Sequence, residues 1–176
     1  EAILSSGSED ANCLGECHVI NSSILEQIGP KIYSKNFNFK NFNYEINLDL
    51  FHQSTIKRYN HFNYKKKFKR QVIIDKSLEN FFNVEAILQI FPNAKFLHTF
   101  RNPYDSIISI YQSMLAELPW THSIEKIIQI IYLYEKKYNL IVNENQIQIK
   151  VIELEKFSNN PEIVLKDLFN FLDLKW

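Results

Sequence analysis

Residues 91–109 read FPNAKFLHTFRNPYDSIIS, and this stretch decides the fold. Phe96, Leu97, His98, Thr99 and Phe100 make a mostly apolar run of strand length, set off by the turn residues Pro92 and Asn93. Arg101 stands where that strand ends. Pro103 suits the first turn of the next helix, where its missing N–H costs nothing. Asp105 falls in the same turn, where a carboxylate complements the helix dipole. Ser109, eight residues after Arg101, lies about two turns into the helix. Strand, loop and helix in this order form the arrangement with which open α/β sheets bind ligands beyond the carboxyl ends of their strands.

The rest of the chain repeats the alternation. Gln71-Val72-Ile73-Ile74-Asp75 reads as a buried-type strand, and Lys76 follows at its end. Ser77 is placed to cap a helix over about 78–91, with Glu79 in its first turn and Leu78, Phe81, Phe82, Ile87, Leu88 and Ile90 on its apolar face. A helix continues from Pro103 to about 116. Leu118-Pro119-Trp120 is a loop, and Thr121 or Ser123 caps a long helix over about 122–143. Residues 147–153 form another strand. Asn160-Pro161-Glu162 opens a helix to about 172, with Leu165, Leu168, Phe169 and Leu172 as its buried stripe. Strand–helix alternation over this length predicts an α/β fold, a parallel sheet flanked by helices, with 71–75, 95–100 and 147–153 as its visible strands.

The first part is less regular. Residues 1–6 read as the tail of a helix. Residues 22–35 carry a weak helical pattern broken at Gly29-Pro30, 36–47 read as an irregular aromatic-rich loop, and 48–64 as a helix with Phe51, Ile56 and Tyr59. Lys65 to Arg70 is a basic run with an aromatic inside, read as a solvated strand entry because the chain is neutral overall.

The 176 residues suit one domain with a real core; 45% are hydrophobic and 23% charged. Twenty basic residues balance twenty acidic ones, so no global field draws nucleic acid. No apolar run approaches the length that spans a bilayer. Cys13 and Cys17 are four apart, which fits neither haem attachment nor a paired zinc motif, and they read as reduced thiols.

Arg101-Asn102-Pro103, Asp105 and Ser109, directly after Phe-Pro-Asn-Ala-Lys-Phe, resemble the 3′-phosphate-binding segment of sulfotransferases that use 3′-phosphoadenosine 5′-phosphosulfate. The nearer likeness is to the branch holding tyrosylprotein sulfotransferases and bacterial sulfotransferases fused to tetratricopeptide repeats. The resemblance covers nearly the whole chain, most strongly 71–113 and 150–176. It implies a P-loop-like sulfotransferase fold as one partial domain over 1–176, with Arg101 and Ser109 on the donor's 3′-phosphate. A guanidinium fork matches phosphate oxygens bidentately, and a hydroxyl adds a neutral donor. Taken singly, Arg101 is an ordinary strand-end arginine; the whole string carries the likeness.

Val-Ile-Ile-Asp-Lys, with Asn80 beyond, is similar to the family's strand ending in Asp-Lys-x-Pro-x-Asn, with Leu78 where the proline is usual. By that likeness Lys76 neutralises charge on the sulfonate and the departing phosphate. Gly15-Glu16 matches the family's Gly-Glu pair, so Glu16 is the implied general base, against the plainer reading of a loop carboxylate. Glu1, Ile3, Leu4 and Ser5 match the continuation of the family's phosphosulfate loop, which is therefore expected upstream of residue 1. Leu154 stands where the family has a tyrosine, and a closing segment is expected beyond Trp176. Any tetratricopeptide section would also lie upstream.

The resemblance thus implies an enzyme moving a sulfuryl group from 3′-phosphoadenosine 5′-phosphosulfate to a hydroxyl of a protein tyrosine, carbohydrate or lipid. It calls for no metal, because fixed cations take the part magnesium has in phosphoryl transfer. The bacterial-type branch implies a cytoplasmic protein, and a eukaryotic origin the Golgi lumen. Two other classes stay open on the residues: a non-catalytic nucleotide-binding or interaction module, and a P-loop kinase, which needs a Gly-Lys-Ser/Thr loop upstream.

Overall fold

The computed structural model describes residues 4, 11–32, 45–66, 72–143 and 147–175, the side chains of 31–32 and 63–66 aside. The expected phosphosulfate-loop continuation at Glu1, Ile3 and Ser5 lies outside these residues. So do the loop at 36–44 and most of the basic run. The chain divides into two compact units, Glu1–Ala94 and Lys95–Trp176. Each holds one pair of parallel strands with helices against it.

In the first unit, strand β1 (Ala11–Cys13) pairs in parallel with β2 (Val72–Ile74), Ala11 opposite Val72 and Cys13 opposite Ile74. Between them run helices α1 (Val19–Ile32) and α2 (Leu48–Lys66). β1 is an addition to the strands read from sequence. Ala-Asn-Cys carries no β-branched or aromatic residue, so its propensity is poor. Burial and pairing override that: Ala11 and Asn12 are fully buried.

α1 runs through the expected break, with Pro30 inside it. Proline removes one bond to the carbonyl four residues back, here Glu26. Glu26 is exposed and the helix ends two residues later, so water can satisfy that carbonyl. α2 begins at a cap the sequence reading did not name. Asn47 Oδ1 accepts from Leu50 N at 3.0 Å, and the Gln27 side chain brackets the Asn47 backbone. Ser54 and Arg58 of α2 both reach Glu26 of α1, at 2.5 and 3.1 Å. Val19, Ile20, Ile24, Phe51, Val84 and Ile87 form the core of this unit.

After β2 the chain does not enter an α-helix directly. Leu78–Asn83 is a 3₁₀ helix, and α3 covers only Val84–Ile90. Ser77 sits at the cap position but makes no side-chain capping bond, because its hydroxyl is engaged elsewhere. The first turn closes instead by Asn80 N donating to Ser77 O at 3.1 Å, the i→i+3 pattern of a tight turn.

In the second unit, β3 (Lys95–Phe100) pairs in parallel with β4 (Gln148–Glu153) along all six residues. Between them lie α4 (Pro103–Ser113), a 3₁₀ turn at Pro119–His122 and α5 (Ile124–Val142). α4 ends at Ser113, about three residues before the expected boundary, where Met114 turns left-handed at φ 39°. Ser123, not Thr121, caps α5, its side chain accepting from Lys126 N. The Thr121 hydroxyl donates instead to Leu118 O at 2.8 Å. Beyond β4 come a short helix the sequence did not announce, α6 (Leu154–Asn159), and then α7 (Pro161–Phe171).

Ile127, Ile141, Leu168, Phe169 and Leu174 are buried, while Ile128, Leu133 and Leu140 of α5 stay exposed. The apolar surface of α5 is therefore covered only along one stripe. Among the described residues, no helix is long and apolar enough to cross a membrane.

Candidate functional site

In the first unit, the loops leaving β1 and β2 are laced together. Leu14 N donates to Ile74 O at 2.9 Å, and Lys76 N donates to Gly15 O at 3.0 Å. Gly15 takes a left-handed φ of 74°, which a side chain would oppose. This turn delivers Glu16 to the end of β2, where its Oε1 accepts from Lys76 Nζ at 2.8 Å. The two residues expected to be catalytic are therefore brought together, sixty positions apart in sequence. The lysine's hydrogen bond and positive charge hold the Glu16 carboxyl below its ordinary value. Both side chains are about half exposed, so the pair remains open to an incoming anion.

Asp75, directly before Lys76, is partly buried. Its Oδ1 accepts from Ser77 N at 2.9 Å and from Ser77 Oγ at 2.6 Å, and its Oδ2 accepts from Tyr59 OH at 2.8 Å. Burial works against its charge. The hydrogen bonds from Ser77, Cys17 and Tyr59 outweigh that and hold its carboxyl below the usual value. Burial pushes the Cys17 thiol up to about 12, so it is a poor nucleophile and a packing residue here. Cys13 and Cys17 are both free thiols. Asp75 thus sets the backbone that carries Lys76, a role its place before the lysine did not reveal.

A second pair stands beside the first. His18 N donates to Ser77 Oγ at 2.8 Å, and His18 Nδ1 lies 2.5 Å from Glu79 Oε1. His18 holds a left-handed φ of 52°, uncommon for a residue with a side chain. The hydrogen bond to Glu79 raises its basicity above the ordinary imidazole value, helped by the charges of Glu79, Glu16 and Asp75. In the sequence Glu79 reads only as a first-turn acid, and nothing marks it or His18 as a pair. They are 61 positions apart, and no spacing rule links them. Asn80, the asparagine of the Asp-Lys motif, has a buried Oδ1 with no hydrogen-bond partner.

In the second unit, Arg101 follows β3 directly and is exposed, and no described carboxylate pairs with its guanidinium. Asn102 caps α4, its Oδ1 accepting from Tyr104 N at 2.9 Å, with Pro103 in the first turn as expected. Asn102 N also donates to Glu155 Oε1 at 3.3 Å, tying the loop after β3 to the start of α6. Ser109 is partly buried on α4, and its carbonyl accepts from Ser113 Oγ at 2.7 Å. Its own hydroxyl and the Arg101 fork are not hydrogen-bonded to one another. The strand, exposed cation and capped helix have the form of an anion site. Leu154, where the family's tyrosine was expected, is exposed at the first position of α6.

Comparison with known proteins adds two findings. A family model described as "Sulfotransferase family" matches residues 2–176. An uncharacterized protein of Aquifex aeolicus (strain VF5) is 30% identical over 115 residues, a match covering 59% of this chain and 14% of that protein. The match therefore takes in about one seventh of that relative's length.

Proposed function

The chain belongs to the sulfotransferase family, and from that premise we propose that it transfers a sulfuryl group from 3′-phosphoadenosine 5′-phosphosulfate to a hydroxyl acceptor. The observation that carries this reading is the Lys76–Glu16 pair at 2.8 Å, at the adjoining ends of two parallel strands. Ligands of parallel α/β sheets bind beyond such strand ends. The same premise favours a P-loop-like fold.

The chemistry assigns the parts. As the bond from sulfur to the bridging oxygen breaks, negative charge gathers on the departing phosphate. Lys76 is the fixed cation for that charge, and its ammonium, a donor to Glu16, is the group that meets the donor's oxygens. Asp75 and Ser77 hold the backbone under Lys76, so the cation is in place before reaction. Arg101 and Ser109 are the groups for the 3′-phosphate, a dianion suited to a guanidinium fork and a hydroxyl. The acceptor is a protein tyrosine, carbohydrate or lipid hydroxyl.

The test is a calorimetric titration of the full-length protein with 3′-phosphoadenosine 5′-phosphate, the product. Saturable binding that weakens in Lys76→Met and in Arg101→Ala is the expected result. No binding would sink the donor assignment and favour a non-catalytic interaction module.

A further inference from the structure

We infer that His18, oriented by Glu79, is the group that takes the proton from the attacking hydroxyl, while Glu16 serves as the counter-ion that steers Lys76. The inference rests on the sulfuryl-transfer reading and goes beyond it by naming a second pair and dividing the labour between the two.

Glu16 Oε1 is occupied by Lys76 Nζ. A carboxylate tied to a lysine is a weaker base, and drawing it off to collect a proton would free the lysine from its position. His18 has no such conflict. In its neutral form, Nδ1–H donates to Glu79 and leaves Nε2 with a lone pair. A base held in one tautomer and orientation by a carboxylate is the arrangement general-base catalysis needs.

The surrounding structure supports a held ring. The side chain is about half exposed, open to an acceptor, whereas Glu79 is largely covered. The left-handed backbone at His18 is fixed by its N–H on Ser77 Oγ, and strain of this kind gathers at functional positions. Ser77 in turn is held by Asp75, the same residue that sets Lys76. The two pairs therefore share one support. Among the described residues, the charged groups that act on the ring are Glu79 from the 3₁₀ helix, Asp75 after β2 and Glu16 on its own loop.

The step balances. The acceptor oxygen forms a bond to sulfur. The bond between sulfur and the donor's bridging phosphate oxygen breaks, and its electron pair leaves on 3′-phosphoadenosine 5′-phosphate. The hydroxyl proton passes to His18 Nε2. The base is active when neutral. Because Glu79 raises the His18 value above 6.5, the rate should climb with pH through that raised value and then level.

The test uses full-length protein, sulfur-labelled donor, and both p-cresol and water as acceptors, followed from pH 5 to 9. Wild type should show the histidine limb. His18→Asn, chosen because asparagine tolerates a left-handed backbone, should lower kcat by roughly 10²–10⁴-fold with product affinity unchanged. Glu79→Gln should move the limb to lower pH, and it gives a second reading should His18→Asn misfold. Glu16→Gln should slow transfer yet keep the limb. Retention of rate and limb by His18→Asn, or loss of the limb in Glu16→Gln, would overturn the inference. So would a wild type that binds product and transfers label to neither acceptor. A wild type that binds no product would overturn the donor reading beneath it.

Discussion

Asp75 and Ser77 form a closed link, Ser77 donating to Asp75 Oδ1 through both its backbone N–H and its hydroxyl, at 2.9 and 2.6 Å. That link turns the chain as it leaves β2, so the intervening Lys76 points its ammonium to Glu16. It also presents Ser77 Oγ to His18 N. One partly buried carboxylate thereby governs the placement of both pairs.

Asp75→Asn should therefore destabilise the protein by about 1.5–3 kcal/mol, the scale of hydrogen bonds to a charged group. The pH dependence follows from its depressed value. A carboxyl held below 3.8 in the fold contributes stability above pH 3.8, and that contribution is lost as pH falls through the lower folded value. Urea midpoints at pH 7 and pH 3 check this: the difference between the two should shrink in the variant. An equal acid sensitivity in Asp75→Asn would show that other carboxylates control acid unfolding.

The Lys76–Glu16 pair should behave oppositely, with little weight in stability and much in catalysis. Both partners are about half exposed, so breaking the pair should change stability by under about 1 kcal/mol. Lys76→Met should nevertheless reduce kcat by roughly 10²–10³-fold, as removal of one preorganised donor does elsewhere. Thermal melts run beside steady-state transfer separate the two effects. A large drop in melting temperature with unchanged kcat would make Lys76 a structural residue.

Much of the second unit was legible because its signals are local. The apolar run at 95–100, the Asn-Pro start of α4, the serine before α5 and Asn160-Pro161 each act within a few residues, and each element begins where those residues place it. β1 was not legible, because Ala-Asn-Cys becomes a strand only by pairing with Val72–Ile74, about sixty residues on. The same distance hides the site. Glu16 and Lys76 entered through family likeness one at a time, and nothing local says that they touch. His18 carries no local signal of a role, and its partner Glu79 reads only as a first-turn acid. Ser77 shows how tertiary contacts overrule a local rule: a residue well suited to cap a helix spends its hydroxyl on Asp75 instead.

The 3′-phosphate assignment predicts a pattern confined to binding. Arg101 is exposed and pairs with no described carboxylate, so Arg101→Ala should alter stability by no more than about 0.5 kcal/mol. It should weaken 3′-phosphoadenosine 5′-phosphate by about 1.5–3 kcal/mol, the scale of a charge-assisted hydrogen bond. Ser109→Ala, which removes a neutral donor, should cost about 0.5–1.5 kcal/mol. Arg101→Lys keeps the charge but not the fork, and should recover only part of the loss. The comparison ligand is adenosine 5′-phosphate, which lacks the 3′-phosphate. If Arg101 reads that group, all three variants should bind adenosine 5′-phosphate as wild type does. Equal losses for both ligands would move Arg101 away from the 3′-phosphate to a general attraction for anions.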